Sequence, residues 1–259
     1  MKLQGKVALV TGASGGIGSA ICHALAEDGA SIILHYHSRK DQCLHTVKQL
    51  ELQKTSESQK FIALPADLLD ESQVQSLVAN GIKHFSQLDI LVNNAGWSRF
   101  VPAQDLDALD DSLIQRTMGL KVQAPLYLLR ACRNALASSP SGQVINITSV
   151  AGIASRGSSS IYAAANAALS TLTKSWARSL APSIRVNAVA PGFVETGFVW
   201  PKDGKVKEYV SKQNHIGRSV DASEVAELVR FLCCHASAIT GEEIAIDGGI
   251  GRLGVNTQK

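Results

Sequence analysis

The chain has 259 residues, of which 45% are hydrophobic and 18% charged, and its formal net charge is +3 at pH 7. This length and balance supply enough apolar surface for a sizeable core and argue against a disordered chain. Lysine and arginine are spread rather than clustered, which disfavours nucleic acid and membrane surfaces as partners. A membrane-spanning helix needs roughly 18 apolar residues in succession. Neither such a run nor a secretory leader occurs, so we expect a cytoplasmic protein without membrane spans.

The five cysteines give no metal-binding pattern. They form an odd set without a C-x-x-C pair, and adjacent Cys233 and Cys234 lack the spacing of zinc ligands. We expect all five to be reduced core thiols and expect no metal site. His35 and His37 are interpreted as packing residues rather than metal ligands.

Short β-branched runs alternate with longer helical patterns along the whole chain. The expected strands are Val7–Thr11, Ser31–Tyr36, Phe61–Ala66, Ile90–Asn93, Val144–Ile147, Ile184–Ala190 and Glu243–Ile246. The expected helices are Ile17–Glu27, Asp41–Leu52, Val74–Phe85, Leu109–Leu136, Ile161–Ala181 and Ala222–Cys233. This alternation predicts an α/β fold: one Rossmann-type domain over residues 1–259, with a doubly wound, seven-stranded parallel sheet and helices on both faces. Residues 197–217 are the expected substrate loop, long enough to act as a lid.

A glycine-rich loop, Thr11-Gly-Ala-Ser-Gly-Gly-Ile-Gly18, follows the first strand and opens the first helix. Free backbone N–H groups and the helix dipole favour a pyrophosphate at such a helix start. The expected cofactor contacts in this loop are Gly12, Ser14, Gly16, Ile17 and Gly18. A tight strand-to-helix turn without a ligand is the alternative interpretation of the glycines.

An ordered set of motifs resembles the short-chain dehydrogenases/reductases, in particular their 3-oxoacyl-carrier-protein-reductase-like branch. The set consists of the glycine-rich loop, Asp67 after the third strand, Asn93-Asn-Ala-Gly96 after the fourth, Ser149 after the fifth, Tyr162, and Pro191-Gly-x-x-x-Thr196 after the sixth. The resemblance implies Asp67 and Leu68 near the adenine, Asn94 near the ribose, and Val194 and Thr196 near the nicotinamide carboxamide. It also implies a homodimer or homotetramer. Further expected cofactor contacts are Gly96, Tyr162, Asn166, Pro191 and Gly192.

The end of the second strand predicts which coenzyme binds. An acidic residue there would bind the adenosine ribose and repel a 2′-phosphate, but this chain has His37-Ser38-Arg39-Lys40. The Ser38 hydroxyl and the Arg39 guanidinium suit a phosphate, so we expect NADPH/NADP⁺ as the cofactor. The alternative is that Arg39 and Lys40 simply begin a solvated helix.

The catalytic pattern of the family is altered in this chain. The family uses a Tyr-x-x-x-Lys pair, a serine, and an asparagine on the long neighbouring helix. Here Tyr162-Ala-Ala-Ala-Asn166 lacks the lysine, and a lysine, Lys121, stands at the asparagine position, 28 residues before Ser149. We hypothesise a reciprocal exchange, in which Lys121 supplies the positive charge and Asn166 binds the ribose. The alternative is that Lys121 points to solvent and the site has lost its acid, which would make the reaction slow.

The predicted function is NADPH-dependent reduction of a ketone to a secondary alcohol, or the reverse, with Tyr162 as general acid/base. A non-net-redox step such as isomerisation or dehydration, and a cofactor-sensing pseudoenzyme, are the alternatives. The substrate is a small carbonyl compound or alcohol. Four aromatic residues favour a hydrophobic or cyclic substrate, unless they belong to the core or an interface: Trp97, Phe100, Phe198 and Trp200.

Overall fold

The computed structural model describes residues 2–196 and 205–256, and seven parallel strands of these ranges form one sheet. The strands are β1 (Val7–Val10), β2 (Ser31–Tyr36), β3 (Phe61–Pro65), β4 (Ile90–Asn93), β5 (Gln143–Ile147), β6 (Arg185–Pro191) and β7 (Glu243–Ile246). Their order is β3-β2-β1-β4-β5-β6-β7. The chain changes direction across the sheet between β1 and β4, and this switch opens a crevice beyond the carboxyl ends of the strands, where such sheets bind ligands.

Helices cover both faces of the sheet, which confirms the predicted doubly wound Rossmann fold. They are α1 (Gly16–Glu27), α2 (Lys40–Leu52), α3 (Glu71–Phe85), α4 (Asp111–Met118), α5 (Ala124–Ser138), α6 (Val150–Ala154), α7 (Ser160–Leu180), α8 (Lys205–Gln213), α9 (Ala222–Cys234) and α10 (Ile250–Leu253). No helix within the described ranges is both long and apolar enough to cross a membrane. All five cysteines are free thiols.

Two buried clusters hold the helices on the sheet. On one face, Ile21 and Leu25 of α1 pack with Val229 of α9 against the strands. On the other face, Leu77 of α3 and Leu128 of α5 pack against the same strands. Full burial of each such side chain contributes about 1.5–3 kcal/mol. Both faces of the sheet are therefore covered by apolar packing.

Side-chain caps set two helix starts that the apolar pattern does not show. Asp70 accepts hydrogen bonds from two backbone amides of the first turn of α3, so this helix begins before the expected Val74. Ser159 accepts from the backbone N–H of Tyr162 and caps α7. A cap of this kind contributes about 1 kcal/mol and, in α7, fixes the start of the helix that carries Tyr162.

The expected long helix near Leu109–Leu136 is present as a continuous helical run from Asp111 to Ser138, but its middle is not α-helical. The structure has α4, then a π-helical turn over Gly119–Gln123, then α5. Pro125 gives the physical reason, because its nitrogen carries no proton for the carbonyl of Lys121 and its ring crowds that carbonyl. The wider turn accommodates the proline, and π-helical turns occur frequently at functional sites.

Candidate functional site

The glycine-rich loop Thr11–Gly18, which we call the phosphate loop after its expected ligand, needs its glycines for two different reasons. Gly12 and Gly16 have φ angles of +65° and +56°, which glycine adopts without strain. Gly18 is required by space, because a Cβ there would lie 2.2 Å from the carbonyl oxygen of Gly12. A side chain at Gly18 would therefore displace the loop itself. The space around Gly15 is open, at the start of α1 where free N–H groups favour a phosphate.

Asn94 holds the phosphate loop from the neighbouring strand. Its Nδ2 donates to the carbonyl oxygens of Thr11 at 2.8 Å and Gly12 at 3.2 Å. The Thr11 hydroxyl accepts from the backbone N–H groups of Asn94 and Ala95. Asn94 was expected near the ribose. In the structure its side-chain amide donates its hydrogen bonds to the backbone of the loop.

The residues expected to contact the adenosine lie at the ends of β2 and β3. Ser38 and Arg39 follow β2 and are exposed, as a contact to a 2′-phosphate requires. Asp67 follows β3, and its Oδ1 accepts from the backbone N–H of Leu69 at 3.0 Å. The Leu68 side chain is buried in the core, so a contact with adenine would come from its backbone.

His35, the fifth residue of β2, is a functional candidate that the sequence analysis treated as packing. Its ring is buried and hydrogen-bonded at both nitrogens: the backbone N–H of Gly12 donates to Nδ1 at 3.1 Å, and Nε2 lies 3.1 Å from the carbonyl oxygen of Ala66. A carbonyl only accepts, so Nε2 carries the proton and the imidazole is neutral. Burial lowers the pKa of His35 to about 4, with the neighbouring charges of His37 and Asp67 acting in opposite directions.

We predict that His35 destabilises the fold as the solution becomes acidic. The unfolded imidazole binds a proton below about pH 6.5, whereas the folded one stays neutral down to about pH 4. The unfolding free energy contributed by His35 is therefore fully present above pH 6.5 and is lost as the pH falls through this window, by about 3 kcal/mol in total. Denaturant unfolding at several pH values should show a smaller loss for His35→Asn than for the native chain. An equal loss of unfolding free energy on acidification in the two proteins would contradict the prediction.

The residues expected near the nicotinamide carboxamide lie at the end of β6 and just after it. Pro191 ends the strand, and the N–H of Gly192 donates to the carbonyl of Ile246 on β7. Val194 forms an isolated bridge with Val220. The Thr196 side chain approaches the phosphate loop so closely that a Cβ on Gly16 would lie 3.0 Å from it. Residues 197–204 of the expected substrate loop, with Phe198 and Trp200, lie outside the described residues.

Three predicted catalytic residues, Ser149, Tyr162 and Asn166, lie after the end of β5 and in the first two turns of α7. Ser149 ends the β5 segment and caps α6, its Oγ accepting from the N–H of Ala151 at 3.1 Å. Tyr162 and Asn166 lie one turn apart on α7, and Asn166 Nδ2 donates to the Tyr162 carbonyl at 2.8 Å. Burial raises the pKa of Tyr162, and hydrogen bonds from the side chains of Ser149 and Asn166 partly offset this effect. The phenol is therefore held in its protonated form at neutral pH.

Lys121 lies inside the site and not in solvent. Its side chain is 3% exposed, and its Nζ donates to the carbonyl oxygen of Ile147 at 2.9 Å, two residues before Ser149. The backbone of Gly96 passes so close that a Cβ there would lie 2.8 Å from Lys121 Cε and 3.1 Å from Nζ. Burial lowers the pKa of Lys121 to about 8. The alternative that Lys121 points to solvent is wrong.

The π-helical turn explains how Lys121 reaches this position. The turn places Lys121 and Gly119 in the interior while Gln123 is exposed. Asn166, on the facing helix α7, is fully buried, and its Oδ1 has no hydrogen-bond partner among the described residues. Such a buried acceptor is costly when unpaired.

Trp97 and Arg116 mark the outer side of the site. Trp97 directly follows Gly96, and the Arg116 guanidinium carbon lies 4.4 Å from the centre of its ring, within the range of a cation–π contact. Phe100 is about half exposed, at 48%. No group of three or more histidine, cysteine and acidic side chains within the described residues could hold a metal ion.

Known proteins resemble this chain over almost its whole length. The sequence model of the family described as enoyl-(acyl carrier protein) reductase matches residues 12–251. A 3-oxoacyl-(acyl-carrier-protein) reductase from Thermotoga maritima is 33% identical over 96% of this chain and 99% of its own. A short-chain dehydrogenase from Burkholderia cenocepacia, solved with NADP, is 34% identical over 96% and 98% of the two chains, with a TM-score of 0.87. A blue fluorescent protein from a metagenomic library, solved with NADPH, is 35% identical over 96% and 99%, with a TM-score of 0.86.

Proposed function

The chain belongs to the short-chain dehydrogenases/reductases, and we propose that it is an NADPH-dependent, single-domain enzyme that reduces a ketone to a secondary alcohol, or catalyses the reverse reaction. The observation that carries this proposal is geometric: Asn166 lies one helical turn after Tyr162 and donates to its carbonyl, and Lys121 is buried with its Nζ on the Ile147 carbonyl, two residues before Ser149, at the carboxyl edge of the sheet. The test is NADPH consumption with a panel of hydrophobic and cyclic ketones, and a panel without any turnover would contradict the proposal.

The residues of the crevice fit the coenzyme at three places. The open space at Gly15 and the start of α1 suit the pyrophosphate. Exposed Ser38 and Arg39 suit the 2′-phosphate, and the unpaired Asn166 Oδ1 suits a hydroxyl of the nicotinamide ribose. When bound, NADPH supplies a hydride. The relatives solved with NADP and NADPH support this choice of coenzyme.

Tyr162 provides the proton for carbonyl reduction. Its raised pKa keeps the phenol protonated at neutral pH, so it can protonate the oxygen of a ketone as the carbonyl carbon is reduced. The hydroxyl of Ser149, at the start of α6 just after β5, orients that oxygen. After the step the phenolate is a negative charge in a partly buried site, and a cation within the site lowers its energy.

Lys121 is proposed as that cation. Below about pH 8 its buried ammonium is charged, and its position on the Ile147 carbonyl places it beside the strand end that carries Ser149. Asn166 has no charge and takes the hydrogen-bonding role toward the ribose. Lys121 and Asn166 thus occupy, in exchanged order, the two positions at which the family has one asparagine and one lysine.

Arg39 should determine the preference for NADPH over NADH. We predict that Arg39→Ala weakens NADPH binding by about 1.5–3 kcal/mol, since a hydrogen bond to a charged group is lost, and leaves NADH binding nearly unchanged. Dissociation constants for the two coenzymes measure the effect, with exposed Lys48→Ala on α2 as the matched control. Unchanged NADPH affinity in Arg39→Ala would show that the 2′-phosphate lies elsewhere.

A further inference from the structure

His35 joins two segments that flank the crevice. Its backbone carbonyl accepts from the N–H of Ala13, and its ring accepts from the N–H of Gly12, so one residue binds two successive amides of the phosphate loop. On its other side, Nε2 donates to the carbonyl of Ala66, the residue before Asp67. The imidazole is 2% exposed, so water does not substitute for either partner.

The other supports of the phosphate loop do not duplicate the His35 contact. Asn94 binds the carbonyl oxygens of Thr11 and Gly12, whereas His35 takes the N–H of Gly12. The two sets of bonds hold the peptide groups on either side of Gly12 and so oppose rotation about its positive φ angle. Without an acceptor at position 35, that N–H would be left unpaired or the peptide would turn to find one.

We infer that His35 is a positioning residue for the coenzyme: it holds the phosphate loop in its binding conformation and ties that loop to the strand end that flanks the adenine. This inference rests on the proposed binding of NADPH. His35 does not touch the coenzyme itself. Its contribution is preorganisation, because a loop that is already fixed loses less conformational freedom when the pyrophosphate binds.

Two substitutions separate the bonds of the ring. An asparagine amide can place its oxygen near the position of Nδ1, so His35→Asn keeps the acceptor for Gly12 and loses the donor to Ala66. A glutamine amide reaches the position of Nε2, so His35→Gln keeps the donor and loses the acceptor. Each variant loses one buried hydrogen bond, so a purely structural role predicts that both behave alike.

The expected result is a split between the two variants. His35→Gln should raise the NADPH dissociation constant about tenfold, since an N–H of the loop loses its partner. The dissociation constant of His35→Asn should stay within about twofold of the native value. The two variants should have similar melting temperatures, because each loses one buried hydrogen bond. Equal dissociation constants for the two variants would overturn the inference.

Amide hydrogen exchange without coenzyme makes the inference testable even if the proposed function fails. The Gly12 amide should be protected in the native chain and in His35→Asn, and should exchange faster in His35→Gln. Equal protection in all three proteins would overturn the role of His35. Failure of the native chain to bind NADPH, with the predicted exchange pattern, would instead contradict the proposed coenzyme.

Discussion

Tyr162→Phe should lower kcat/KM for ketone reduction by about 10²–10⁴-fold, the usual contribution of a positioned general acid. The substitution removes only the phenolic oxygen, so the first turn of α7 and its cap at Ser159 remain. NADPH binding should change little, because the Asn166 Oδ1 and the phosphate loop are untouched. The measurement is a comparison of kcat/KM and of the NADPH dissociation constant for the two proteins.

Tyr127→Phe provides the matched control, since Tyr127 lies on α5, outside the cluster formed by Ser149, Tyr162 and Asn166. This variant should retain the native kcat/KM. Full turnover in Tyr162→Phe would mean that another group protonates the substrate oxygen. A large loss of NADPH affinity in Tyr162→Phe would mean that the phenol binds the coenzyme more than it serves the reaction.

Lys121→Met should make the protein more stable and less active. Burial lowers the Lys121 pKa from 10.5 to about 8, so at pH 7 the fold holds a charge that its surroundings disfavour. Relieving this should raise the unfolding free energy by up to about 3 kcal/mol. Activity should fall because the phenolate of Tyr162 loses the buried cation proposed to stabilise it. Thermal or denaturant unfolding and kcat/KM measure the two effects.

The pairing of Lys121 with Asn166 is tested by a double-mutant cycle. Lys121→Asn should lower kcat/KM and shift the alkaline limb of its pH profile, because the group that titrates near pH 8 is gone. Lys121→Asn/Asn166→Lys restores the arrangement of the family and should recover activity relative to Lys121→Asn, so that the two substitutions are not additive. An unaltered rate and pH profile in Lys121→Asn would mean that Lys121 does not replace the missing lysine and that the site has simply lost it at position 166.

The sheet could be predicted from the sequence because its signals are local. Runs such as Ile90-Leu-Val are buried on both faces, and the pattern of such runs predicts parallel strands directly. The glycine-rich loop could also be predicted from the sequence, since Gly12 and Gly16 stand where the backbone has positive φ angles. The π-helical turn was missed because its cause, Pro125 opposite the carbonyl of Lys121, also suits the first turn of an ordinary helix.

Contacts between distant segments limited how much of the candidate site could be predicted from the sequence. The burial of Lys121 depends on the close approach of Gly96 and of the Ile147 carbonyl, which no local pattern encodes. The same holds for His35, whose partners Gly12 and Ala66 lie 23 and 31 residues away. The signal in the sequence that could have suggested its role is a histidine near the carboxyl end of an apolar strand, because such sheets bind ligands beyond that end.

The most direct test of the proposed function follows the hydrogen atom that is transferred. The native chain would be incubated with NADPH carrying deuterium at its transferable position and with any ketone of the panel, and the product would be analysed by mass spectrometry. The proposal predicts a secondary alcohol with one deuterium on the carbinol carbon, formed in equal amount to the NADPH consumed, and a loss of this product in Tyr162→Phe. A converted substrate without deuterium and without NADPH consumption would contradict the account and indicate an isomerisation or dehydration in the same cleft.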